Sequence, residues 1–127
     1  MANAFDAALR GVPVLVYGDG STVRDYVFID DIVPVVQRSV EDPSFADLVN
    51  VGTGVGTRLD ELLACVREVT GLELPEDRRS VRTHDIPQII LDTSRLRAAM
   101  PAYDPRPLRD GLALTWQALL DEHDRAP

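Results

Sequence analysis

No lysine occurs anywhere in this chain: all 13 basic residues are arginine, set against 21 acidic ones, for a formal net charge of −8 over 127 residues. That balance argues against nucleic acid or an anionic membrane as the main partner, because both are met by a basic footprint. An anionic ligand would need arginines gathered locally. Cysteine is nearly absent too, Cys65 being the only one, so no intrachain disulfide forms and a reducing cytoplasm is the expected compartment. Long apolar runs are missing. None approaches the roughly 20 residues that span a bilayer, so no membrane partner is expected. The opening Met1-Ala2-Asn3-Ala4-Phe5-Asp6 has neither the basic start nor the apolar centre of a secretory signal. Histidine is scarce: His84 and His123 stand far apart, without cysteine or acidic ligands at zinc spacing, and no metal site is expected.

What is present is an ordinary soluble composition, 45% hydrophobic and 27% charged, in a chain long enough for one domain with a real core. Helical spacing of Phe5, Ala8 and Leu9 predicts a helix over Ala2–Leu9, stopped by Gly11. Val12–Tyr17 is β-rich, Gly18-Asp19-Gly20-Ser21 is a turn, and Val23–Ile29 predicts a second strand. Asp30 or Asp31 is expected to cap a helix over Ile32–Glu41, with Pro34 tolerated in its first turn. A short strand is expected at Leu48–Val51. Thr57 and Asp60 resemble a capping box for a helix over Leu59–Thr70 closed by Gly71. Beyond it Leu72–Arg82 reads as extended and mixed, with Pro75 and a charged Glu76-Asp77-Arg78-Arg79 bend, and Ile89–Leu91 as a short strand. Asp92 caps a helix to about Met100, Pro101–Pro107 is a loop, and Leu108, Leu112, Thr115, Trp116, Leu119 and Leu120 form one face of a last helix ending near His123.

Two features carry potential chemistry. "NVGTGVGT", Asn50 to Thr57, follows an apolar stretch and opens a helix, as a dinucleotide-binding turn would, but its third glycine position is Thr57, so a plain turn before a capped helix is the competing reading. Arg24 follows a glycine turn at the start of a strand, and Arg82 ends an extended segment just before Asp85. Two guanidiniums converging from different segments would suit a diphosphate, whose oxygens accept bidentate hydrogen bonds. The alternative is two surface arginines paired with Asp25 and Asp85. Ser21 has no base partner, while Cys65 and Trp116 fit a core.

"GVPVLVYGDGSTVRDYVFIDDIV" resembles a segment in the second half of the NAD-dependent epimerase/dehydratase family, the extended short-chain dehydrogenase/reductases that act on nucleotide sugars. "LVNVGTGVGTRLDELL", "RTHDIPQIILDTSRLR" and "PLRDGLALTWQAL" resemble later stretches of that family in the same order, with His84 standing where the family has glycine.

The resemblance implies a small mixed α/β substrate-binding lobe over residues 1–127, without the full Rossmann domain. It implies backbone contacts to a pyrimidine base at Leu15 and Tyr17, a diphosphate held by Arg24 and Arg82, and a ribose near Asp85. A UDP- or dTDP-sugar is the implied substrate, and NAD the implied cofactor of the whole family enzyme. The family's cofactor glycines lie near its amino terminus, which demotes the turn at Gly52–Gly56. Family catalysis uses a Tyr-x-x-x-Lys pair, in which the ammonium lowers the tyrosine pKa. Here Tyr17, Tyr26 and Tyr103 are followed four residues on by Ser21, Asp30 and Pro107. The expectation is therefore that this chain alone neither binds NAD nor catalyses, and relies on an amino-terminal NAD-binding half; the alternative is a non-catalytic nucleotide-sugar binding or interaction module. Whether it forms a homo-oligomer is left open.

Overall fold

The computed structural model describes residues 2–42, 44–45 and 48–125. Helix α1 (Ala2–Arg10) leads into strand β1 (Val14–Tyr17), a glycine turn and strand β2 (Val23–Asp25). Helix α2 (Ile29–Glu41) follows, then strand β3 (Gly56–Arg58), helix α3 (Leu59–Thr70) and strand β4 (Glu76–Arg79). Strand β5 (Gln88–Ile89), helix α4 (Ser94–Ala99) and helix α5 (Leu108–Arg125) complete a mixed α/β arrangement. β1 and β4 form a parallel pair, with Val14 opposite Glu76 and Tyr17 opposite Arg79. β2 is central in a second small sheet, antiparallel to β3 and parallel to β5.

The main core forms where α1, α3 and α5 cover β1. Strand alternation sends Val14 and Val16 inward. They meet Phe5 and Ala8 from α1, Leu62, Leu63 and Val66 from α3, Leu74, and Leu112 from α5. Phe5 is fully buried and stacks on Trp116, ring centroids 5.6 Å apart. A second cluster of Val35, Leu96 and Tyr103, with Phe45, Val49, Val51 and Met100 around it, ties α2 to α4. Among the described residues no helix is long and apolar enough to cross a membrane.

Local signals placed several elements well. Gly71 adopts φ 66° and its N–H bonds the Arg67 carbonyl, ending α3 where a left-handed residue is needed. Five expectations are corrected. β2 stops at Asp25 and α2 begins at Ile29, so Pro34 lies inside the helix, where it leaves a carbonyl one turn back without its N–H partner. Asp31 does not cap α2; its carboxylate accepts hydrogen bonds from Arg106 N and Nε at 3.0 and 2.9 Å. Glu61, not Asp60, completes the start of α3, accepting from the Arg58 N–H at 3.0 Å. The charged run Glu76–Arg79 is a strand, because pairing with β1 satisfies its backbone and Arg67 and Arg78 neutralise Glu76 at 2.5 and 2.6 Å. Leu48–Val51 is not a strand; it has no ladder partner among the described residues.

Since Phe5 has no solvent exposure and stacks on Trp116, Phe5→Ala should lower the unfolding free energy by about 3–5 kcal/mol. Leu9→Ala, at a 39% exposed position, should lose less than half of that. Urea titration followed by Trp116 fluorescence measures both.

Candidate functional site

The alternation that buries Val14 and Val16 turns the Leu15 and Tyr17 side chains outward. Backbone pairing adds a second consequence. Val14 N–H bonds the Pro75 carbonyl at 2.8 Å and Gly18 N–H bonds the Arg79 carbonyl at 2.9 Å, so even-numbered residues of β1 face β4. The N–H and C=O groups of Leu15 and Tyr17 therefore point to the open edge of β1, which among the described residues pairs only with β4. Gly18 and Gly20, at φ 79° and 87°, reverse the chain, and Asp19 accepts the Ser21 N–H at 2.9 Å to close the turn. β2 then returns with Arg24.

Leu15, Tyr17, Thr22, Arg24, Tyr26, Leu59 and Asp85 together line a cleft of about 210 Å³. Four of the five residues singled out from sequence are thus in one place. The fifth, Arg82, is not in the lining, but its guanidinium carbon lies 3.6 Å from the centroid of the Tyr17 ring, a cation–π contact at the cleft's edge. Asp85 N–H bonds the Arg82 carbonyl at 3.1 Å, so one turn presents both residues. The Tyr17 side chain, with a smaller contribution from Asp85, pushes the Arg82 pKa up.

Arg10, Arg38, Arg58, Arg67, Arg78, Arg79 and Arg106 each pair with a carboxylate, whereas among the described residues Arg24 and Arg82 do not. Arg24 is steadied by its own strand, Nη1 donating to the Val23 carbonyl at 2.7 Å. The alternative pairing of Arg24 with Asp25 is not what forms, since consecutive strand residues face opposite ways. Asp25 instead accepts four hydrogen bonds: from Thr53 N at 2.9 Å, Thr53 Oγ1 at 2.6 Å, Gly54 N at 2.9 Å and Leu91 N at 3.3 Å. Burial raises the pKa of its carboxyl, but the bonds from Thr53, Gly54 and Leu91 outweigh that and hold it below the usual value of 3.8.

This carboxylate explains the glycine-rich stretch. A Cβ at Gly52 would lie 2.7 Å from Asp25 Oδ2, and one at Gly56 would lie 2.5 Å from Ile90 Cδ1. The glycines permit close packing around Asp25 and β5, and the N–H groups of Thr53 and Gly54 are already spent on it. The turn does not fit the pyrophosphate of a dinucleotide, which needs those donors free.

Sequence reasoning passed over Tyr26, although it lies two residues from Arg24 and hence on the same face of that segment. Burial pushes its phenol up, with Arg24 opposing. Cys65 is half-buried and burial raises its pKa, which suits packing rather than nucleophilic attack. No group of three or more metal-ligating side chains occurs among the described residues.

The family model for the NAD dependent epimerase/dehydratase family matches residues 1–52. The UDP-glucose 4-epimerase of Mycolicibacterium smegmatis is 33% identical over 110 residues, covering 87% of this chain and 35% of that protein. GDP-L-fucose synthase 1 of Arabidopsis thaliana is 31% identical over 118 residues, covering 91% of this chain and 36% of that protein. The chain thus spans about a third of the length of these curated relatives. Among solved structures, the Thermotoga maritima UDP-glucose 4-epimerase with UDP-glucose superposes with a TM-score of 0.84 at 31% identity, over 94% of this chain and 38% of that one. The Thermus thermophilus UDP-glucose 4-epimerase in complex with NAD gives 0.79 at 29% identity, over 91% and 38%.

Because its folded pKa is depressed, the Asp25 carboxylate stabilises the fold at every pH above its unfolded value near 3.8, and the contribution fades as pH falls through the lower folded value. Asp25→Asn should therefore cost on the order of 1–3 kcal/mol at pH 7. The gap to the unmutated chain should narrow below about pH 4. Urea unfolding at pH 7 and pH 3 gives the comparison.

Proposed function

The chain belongs to the NAD-dependent epimerase/dehydratase family, and from that premise we propose that its β1–β2 cleft binds the nucleoside diphosphate of a UDP- or dTDP-sugar. The observation that carries this reading is the gathering of Leu15, Tyr17, Arg24 and Asp85 in one cleft, with the Arg82 guanidinium on the Tyr17 ring.

Each group has a role set by its geometry. The unpaired edge at Leu15 and Tyr17 offers alternating N–H and C=O groups to the edge of a pyrimidine, much as a sheet edge accepts an added strand. Arg24 projects from a strand and keeps its fork free of carboxylates, so its charge is available for phosphoryl oxygens. Arg82 supplies the second fork from its turn, and Asp85 accepts from a ribose hydroxyl. Tyr26, beside Arg24, presents a phenol that burial keeps protonated and able to donate.

In this reading the sugar is transformed only together with an amino-terminal NAD-binding part, where NAD supplies the hydride acceptor. The 127 residues give no lysine for a Tyr-x-x-x-Lys pair, and the turn at Gly52–Gly56 is filled by Asp25. The same two observations favour a second reading, a nucleotide-sugar binding module that works without catalysis.

Calorimetric titration with UDP should give a dissociation constant of about micromolar size, and Arg24→Ala should weaken it by roughly 10- to 100-fold, the loss of one or two charge-assisted hydrogen bonds. Arg82→Ala should weaken it less, because part of its contact is spent on Tyr17. Equal affinity in Arg24→Ala, or no binding by the unmutated chain, overturns the assignment. No turnover of UDP-glucose with NAD is expected from this chain by itself.

A further inference from the structure

The run Ser80–Ile86, between β4 and β5, is an arch with fixed feet. At one end the Arg79 carbonyl accepts from the Gly18 N–H at 2.9 Å, and at the other the Pro87 carbonyl accepts from the Val23 N–H at 2.8 Å. Gly18 and Val23 also bound the glycine turn, so turn and arch rise from the same pair of anchors. Between them lies a space of about 720 Å³, with Ser21 and Thr22 on the turn side and Val81 and Asp85 on the arch side. Arg78 and Arg79, which also border it, are paired with Glu76 and Asp77 and bring no free charge.

Little holds the arch down between its feet. Every residue from Ser80 to Pro87 is exposed, and the apolar Val81 and Ile86 are 68% and 57% open to solvent. Among the described residues the backbone of Ser80–Ile86 makes one hydrogen bond, internal to the arch, from Asp85 N–H to the Arg82 carbonyl at 3.1 Å. Two contacts tie it to the body. Val81 rests beside Gly18, where a Cβ would lie 3.8 Å from the valine side chain. The Arg82 guanidinium carbon rests 3.6 Å from the centroid of the Tyr17 ring. Firm anchors around a segment with few bonds and few buried contacts mark a place where the native structure opens at low cost. The Tyr17 contact is also one that an anion can replace, because an exposed cation–π contact is weaker than charge-assisted hydrogen bonds to phosphoryl oxygens. Asp85, at the far limb of the arch, already lines the cleft.

Resting on the reading of the cleft as a nucleoside diphosphate site, we propose that Ser80–Ile86 is a lid with Arg82 as its latch. With the cleft empty, Arg82 rests on the Tyr17 ring; a diphosphate draws it off the ring, and the arch pivots on its two feet over the bound nucleotide. Open and closed states differ in what Arg82 touches, which is the differential contact a ligand needs to shift a population. The anchoring bonds at Gly18 and Val23 lie outside the moving segment, so closure leaves the ladders of both sheets intact. Closing also takes Val81 and Ile86 out of solvent, which favours the closed state.

Hydrogen exchange reads the arch and calorimetric titration with UDP reads the cleft, each for the unmutated chain, Arg82→Gln and Arg82→Lys. Without ligand the arch amides should exchange nearly as fast as those of an unstructured chain, while the Gly18 and Val23 amides are protected. Saturating UDP should slow the arch amides by roughly tenfold or more. Arg82→Gln should still bind UDP through Arg24 but show no such slowing at saturation, and Arg82→Lys, which keeps the charge without the fork, should restore part of it. UDP binding with no slowing overturns the lid and leaves the nucleotide reading standing. Equal slowing in Arg82→Gln, the mark of simple cover by the ligand, does the same, as does an arch already protected without UDP. Absence of UDP binding by the unmutated chain overturns both, and the titration alone reports it.

Discussion

The Asp25 carboxylate is the constraint on which the arrangement around the cleft depends. One side chain on β2 collects the backbone of the 53–54 turn, the Thr53 hydroxyl and the amide of Leu91, joining three stretches far apart in sequence. Because neighbouring residues of a strand face opposite ways, whatever fixes Asp25 on one side fixes Arg24 on the other. The cleft is thus positioned from behind, by a group that never lines it. The glycines at 52 and 56 belong to the same constraint, since a side chain at either would collide with the groups gathered there.

Charge is distributed to match. The chain is strongly acidic, and most arginines whose partners are described are neutralised close by in sequence, as in Arg10 with Asp6 or Arg79 with Asp77. Such exposed pairs add little stability. Arg24 in the cleft and Arg82 at its edge stand outside these pairs, as do Arg95, Arg97 and Arg109 elsewhere among the described residues. Without lysine every cation in the chain is a planar fork, which suits phosphoryl oxygens better than a point charge does.

The parts of the fold legible in sequence were those set by local chemistry. α3 ends at Gly71 because only a residue at ease in the left-handed region closes that helix, and α5 begins after a proline-rich loop with its apolar face already in register. The parts that were not legible depend on distant partners. Glu76–Arg79 reads as a bend by charge, yet β1 and the Arg67 guanidinium make it a strand. Leu48–Val51 reads as a strand by composition, yet a strand needs a neighbour. In the site, the order of motifs placed Leu15, Tyr17, Arg24 and Asp85 together, whereas the hold of Arg82 on the Tyr17 ring and the work of Asp25 need coordinates. By sequence Asp25 reads only as a counter-ion to Arg24, and nothing local ties it to Thr53.

The two arginines are mounted differently. Arg24 stands on a strand bonded on both sides, β3 and β5, while Arg82 hangs from a short turn and leans on an aromatic ring. Held between them, a diphosphate would meet one fixed jaw and one sprung jaw. On the proposed reading, such a vice would keep its grip on the invariant part of a ligand while the sprung side yields to whatever is attached beyond it, so that one scaffold would take different sugars without rebuilding its anchor.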